Sequence, residues 1–186
     1  MLMTRASLHV EPEGLLDVAR HYIRELIYGA NDGIITTFAV VAGVAGGGLP
    51  LHVVVIVGAA NLFGDGLSMG AGNYLSIKSH ESVLATQNLP EEEAFPLRHA
   101  GATFLAFVVA GIIPLLPYVI PVLVFDRFAS SLVLTVGGMF AVGASRALIA
   151  NVRWWKAGLE MSGLGVIVAA LAYASGALAA YVMHAA

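Results

Sequence analysis

The chain has 186 residues, 59% of them hydrophobic and only 11% charged, with a formal net charge of −3 and no cysteine. Soluble domains carry about 25% charged residues, so this composition excludes an ordinary water-soluble domain and points to a bilayer. Without cysteine there are no disulfides, thiolate metal sites or thiol catalysis, and no basic run suggests a nucleic-acid partner.

The N-terminal 25 residues read as a separate segment. Leu15, Leu16, Ala19, Tyr22, Ile23 and Leu26 recur at helical spacing with polar residues between them. This predicts an amphipathic helix lying at the membrane interface or, equally, a plain helical lead-in to the first span. Asp17, Arg20, His21, Arg24 and Glu25 break any apolar run, so no signal peptide is expected. Residues 26–186 are expected to form one transmembrane domain.

Five stretches reach the roughly 20 apolar residues that a membrane helix needs: Leu26–Ala45, Leu51–Ile77, Ala100–Val124, Phe128–Ile149 and Met161–Met183. The expected fold is therefore an all-α membrane protein of five transmembrane helices. Gly46-Gly47-Gly48-Leu49-Pro50 and Phe125-Asp126-Arg127 make tight turns, and Pro114, Pro117 and Pro121 predict a kink in span three. Of the nine Lys and Arg residues, all but Arg127 fall on one side of this layout. The positive-inside rule places that side, with the N-terminus and the loops 78–99 and 150–160, in the cytoplasm.

Spans one and two each carry a lone aspartate, Asp32 and Asp65. An ionisable group at membrane depth is costly and marks an ion, proton or substrate path. Asn61, Asp65, Met69 and Asn73 are spaced four apart, a polar stripe along one face of span two. Such a stripe faces a path, or glues helices through hydrogen bonds. Counted from the span ends, Asp32 lies about 9 Å deep, Met69 about 12 Å and Asn73 about 6 Å, with Asp65 deeper. A carboxylate, a thioether and an amide at one level suit a divalent metal. The thioether tilts the set toward Fe²⁺, Mn²⁺ or Co²⁺, though Met69 also suits simple packing. Gly29/Gly33, Gly43/Gly47 and Gly66/Gly70 have the spacing of close helix pairs, including pairs across a dimer. In the loop 78–99, His80, Glu81, Glu91, Glu92 and Glu93, with His99 at its end, are candidates for cytoplasmic metal capture, or belong to an ordinary solvated loop. No residue set for hydrolysis is found, and no enzyme is expected.

The stretch Gly29-Ala30-Asn31-Asp32-Gly33-Ile34-Ile35-Thr36-Thr37-Phe38-Ala39-Val40-Val41-Ala42-Gly43 resembles the first-helix signature of the vacuolar iron transporter family. Gly64-Asp65-Gly66-Leu67-Ser68-Met69-Gly70-Ala71-Gly72-Asn73-Tyr74-Leu75-Ser76 resembles its second-helix motif. The resemblance implies a homodimer of five-helix subunits that moves Fe²⁺ or Mn²⁺ (Co²⁺ and Zn²⁺ are further cargo candidates) out of the cytoplasm against protons, with no resident cofactor. Asp32 and Met69 match the family's path residues, and Asp32 and Asp65 are the expected proton carriers. Two departures stand out. Asn73 occupies a position where members commonly have glutamate, and the loop between spans two and three lacks the long acidic metal-capturing domain that some members insert. No ferritin-like domain is expected before span one. The expected location is a multi-pass protein of a bacterial inner membrane. A passive cation channel and a non-transporting assembly or sensor subunit are the competing readings.

Overall fold

The computed structural model describes residues 6–120, 126–148 and 152–185. Its helices are α1 (Leu15–His21), α2 (Ile23–Gly46), α3 (Leu51–Thr86), α4 (Pro96–Gly111), α5 (Leu116–Val119), α6 (Arg127–Ser145) and α7 (Trp154–Ala185). Five helical stretches, with α4 and α5 counted as one, are long and apolar enough to cross a bilayer. Leu67, Leu105, Val133, Leu171 and Val182 all point outward and are more than half exposed. Large apolar side chains facing away from the core on α3, α4, α6 and α7 are what a lipid surround requires.

α2 is the central helix. Phe38, Val41 and Ala42 anchor one apolar cluster with Val54, Leu62, Phe107 and Leu115. Ile34 anchors a second with Ala110, Met139 and Met161. The glycines let backbones touch. A Cβ on Gly29 would meet the Thr103 carbonyl at 2.5 Å, and one on Gly33 would run into the Phe107 carbonyl. Gly43 and Gly46 face the Ala172–Gly176 stretch of α7 in the same way. These small-residue pairs are therefore spent on α4 and α7 of the same chain.

Helix boundaries depart from the apolar runs at both ends. α3 has 36 residues, about 54 Å at 1.5 Å per residue, and outruns the hydrocarbon core. Its last nine residues, read as loop from their polarity, continue the helix past Ile77. α7 likewise starts at Trp154, seven residues before its apolar run. Polarity marks where a membrane ends, whereas a helix ends where its backbone loses partners. The proline-rich stretch breaks as expected: α4 stops at Gly111, a 3₁₀ turn spans Ile113–Leu115, and α5 follows. Pro121 and Phe125 lie outside the described residues, as does part of the 150–160 loop. Asp126 caps α6, its Oδ1 accepting from the Ala129 N–H at 2.7 Å.

Residues 6–11 lie along the loop that joins α3 to α4. Glu91 N–H donates to the Ala6 carbonyl at 2.8 Å and Leu8 N–H to the Glu91 carbonyl at 2.7 Å. Arg98 Nη1 reaches both Glu11 carboxylate oxygens at 3.0 Å. None of the residues of α1 is buried.

Candidate ion path and loop-end cleft

α2 and α3 are antiparallel, and one hydrogen bond fixes their register. Asn61 Nδ2 on α3 donates to Thr36 Oγ1 on α2 at 3.4 Å. Asp65 lies one turn from Asn61, and Asp32 one turn from Thr36, both toward the loop end. The two carboxylates therefore share a level. Both are half-buried. Among the described residues no Lys or Arg pairs with either. Thr36 Oγ1 also donates to the Asp32 carbonyl at 2.8 Å, closing a turn of α2 beside the pair.

This revises the expected depths. The sequence grouped Asp32 with Met69 and Asn73 and placed Asp65 deeper; the register sets Asp65 opposite Asp32, Met69 a turn below it and Asn73 two turns below. The depths were measured from the apolar boundary of span two, but α3 continues well beyond that boundary. Met69 is half-buried and packs against the Phe38–Phe107 cluster. Asn73 joins α4: its Nδ2 donates to Thr103 Oγ1 at 2.9 Å, and that hydroxyl donates to the His99 carbonyl at 3.0 Å.

Asn73 and Thr103 line a cleft of about 590 Å³ at the loop end of the bundle, together with Glu25, Tyr28, His80 and Glu93. The loop candidates divide by position. Glu81 Oε1 accepts from the backbone N–H groups of Glu92 at 2.9 Å and Glu93 at 2.8 Å, so it shapes the loop. Glu92 pairs with His80 at 3.2 Å on the exposed rim. Glu91 contributes its backbone to the N-terminal strap. Glu93 turns inward, its Oε2 2.9 Å from His99 Nε2.

Glu25 is the acid that the sequence reading passed over. It is 2% exposed on the first turn of α2, held by Arg24 at 2.8 Å and facing His99 Nδ1 at 3.2 Å. An acid flush with the start of an apolar run was its only sequence signal. His99 gave a similar signal at the start of span three.

The profile of the VIT family matches residues 23–95 and 82–177, two segments that meet in the α3–α4 loop. Vacuolar iron transporter 1 of Arabidopsis thaliana is 25% identical, over 98% of this chain and 97% of its own length. Vacuolar iron transporter 2 of Oryza sativa subsp. japonica is 24% identical, over 83% of this chain and 86% of its own. A vacuolar iron transporter of Toxoplasma gondii is 34% identical over 90 residues, 44% of this chain and 30% of its own. The Arabidopsis alignment spans 246 positions, more than this chain has, so that relative carries segments this chain lacks. With the aspartate-bearing helices and the loop-end cleft inside the matched residues, this multi-pass membrane protein belongs to the VIT family.

Proposed function

We propose that the chain is a proton-coupled exporter of a divalent transition metal, Fe²⁺ or Mn²⁺, working as a homodimer with its N-terminus and the 78–99 loop in the cytoplasm. The family is one of iron-transporting membrane proteins, not enzymes. The observation that carries the reading is the pair Asp32 and Asp65, two half-buried carboxylates at one level of adjacent helices, with no Lys or Arg paired to either among the described residues. Two such groups at one level bind a divalent ion or share a proton, and the exchange of one for the other is the coupling.

Metal arrives through the loop-end cleft, past Glu93, Glu25 and the Asn73–Thr103 pair, and reaches Asp32 and Asp65 with Met69 as a soft ligand. Protons from the opposite side then displace it. The eight-to-one distribution of basic residues supports the orientation. The division into a membrane-surface segment (1–25) and a transmembrane domain (26–186) is part of this proposal. The relatives are named for the vacuole, which supports a vacuolar membrane and lends nothing to the bacterial inner membrane expected from the sequence.

Purified protein in liposomes, offered Fe²⁺, Mn²⁺ and Ca²⁺ in turn, tests the proposal by joint measurement of metal entry and internal pH. Metal flux with opposite proton flux, absent for Ca²⁺, is expected. Metal flux without proton movement makes the protein a channel, and no flux from folded protein favours an assembly or sensor subunit.

A further inference from the structure

Titratable side chains from four separate stretches of the chain converge beside the cleft. The strap of residues 6–11 seats the His9 ring edge-on against Phe95 at 5.1 Å and against His21 at 5.4 Å. The His9 side chain is only 6% exposed. His21 closes α1, with its ring 5.1 Å from that of His99. His99 lies between two carboxylates, Glu25 at its Nδ1 and Glu93 at its Nε2. His9 Nδ1 is 3.9 Å from the same Glu93 oxygen.

The partners of these atoms are incomplete. Both ring nitrogens of His9, both of His99, Nε2 of His21 and Oε2 of Glu93 are shielded from solvent, and none has an aligned hydrogen bond. Buried polar atoms are nearly always satisfied, and leaving one unmet costs about 1–3 kcal/mol. Six such atoms lie together, and with one lone pair on each neutral imidazole and more on the Glu93 carboxylate they include several acceptors that a cation would satisfy together. One donor atom each from His9, His21 and Glu93 already lie within 4.8 Å of one another. A metal holding nitrogen and oxygen at about 2.0–2.2 Å brings its ligand atoms to roughly 3–4 Å apart, a closure that side-chain rotation supplies.

We propose that His9, His21 and Glu93 form a binding site for a divalent first-row transition metal, with His99 Nε2 as the fourth ligand. Imidazole nitrogens favour Zn²⁺, Fe²⁺ and Co²⁺ over Mg²⁺ and Ca²⁺. Glu25 orients His99 from its other ring nitrogen, the carboxylate–histidine–metal arrangement common around such ions. The site is separate from Asp32 and Asp65 and does not depend on the transport reading. Its ligands come from the N-terminal strap, the end of α1, the α3–α4 loop and the start of α4, so a bound ion ties these parts together at the wall of the cleft.

The test is titration of the full chain, in detergent and free of any purification tag, with Co²⁺ alone. One Co²⁺ per chain with the visible absorption of a tetrahedral nitrogen–oxygen site is expected, beyond any ion held at Asp32 and Asp65. His9→Ala and His21→Ala should each weaken binding at that site by about tenfold or more, while His52→Ala and His184→Ala leave the spectrum unchanged. Absence of that spectrum in the unmodified protein overturns the proposal without recourse to any variant, as does its loss in His52→Ala. An unchanged spectrum in His9→Ala, with helical content intact by circular dichroism, also overturns it. Because the readout is binding, failure of the transport reading leaves this result standing, and the reverse.

Discussion

Glu25 and His99 face one another at 3.2 Å with 2% and 1% of their side chains exposed, which makes them the most deeply buried acid–base pair among the described residues. Removing one member leaves the other one partner short, with Arg24 still on Glu25 and Glu93 still on His99. Glu25→Ala should therefore cost about 1–3 kcal/mol of stability, seen as a lowered unfolding midpoint in detergent. Replacing both residues by leucine should cost less than the two single losses combined, since neither polar group is then left alone. Additive losses would show that the two do not interact.

Asp32→Asn should abolish metal flux in liposomes while helical content and oligomer size stay unchanged. Asp65→Asn should do the same, because the Thr36–Asn61 register sets both carboxylates at one level. Normal flux in either variant would remove that residue from the path.

Two glycines that look alike in sequence should behave in opposite ways. A Cβ at Gly33 runs into the backbone of Phe107, which cannot yield without parting α2 from α4. Gly33→Ala should destabilise by about 3 kcal/mol or more. Gly64 has nothing within 4 Å of that position, and Gly64→Ala should be neutral or stabilising by up to about 1 kcal/mol. Thermal unfolding of the two variants side by side checks the contrast.

Ser131 is fully buried and its Oγ donates to the Pro114 carbonyl at 2.6 Å. The bond serves a carbonyl in the stretch where the prolines interrupt the helix ladder. Ser131→Ala should cost about 1–3 kcal/mol, with the loss visible in the unfolding midpoint and no change in metal selectivity.

Much of the fold is legible in the sequence because a bilayer imposes a simple rule on composition. The five spans, the proline break and the packing glycines all follow from runs of apolar or small residues. The polar stripe of α3 is legible too, since residues four apart must share a face. Its register against α2 is not: it depends on where α3 ends, and residues 78–86 are polar yet helical. The loop-end cluster is least legible of all. His9, His21, Glu25, Glu93 and His99 have no common spacing, and only the N-terminal strap and the short α3–α4 loop bring them together. The loop candidates held Glu93 but gave no reason to separate it from Glu91, whose backbone holds the strap, or from Glu92, which pairs with His80 on the rim.

The backbone contacts at Gly29 and Gly33 also decide what can move. Where two helices touch carbonyl to Cα with no side chain between them, no soft layer exists on which to slide, so α2 and α4 behave as a single body and Asp32 rides on it. α3 meets α4 in two ways: at Gly66 its neighbours are the rings of Phe104 and Phe107, and at Gly70 a Cβ would meet the Ala100 carbonyl at 3.0 Å. A change in the distance between Asp32 and Asp65 would then be a pivot of α3 about its close contact at Gly70, taken up on the side of the two rings.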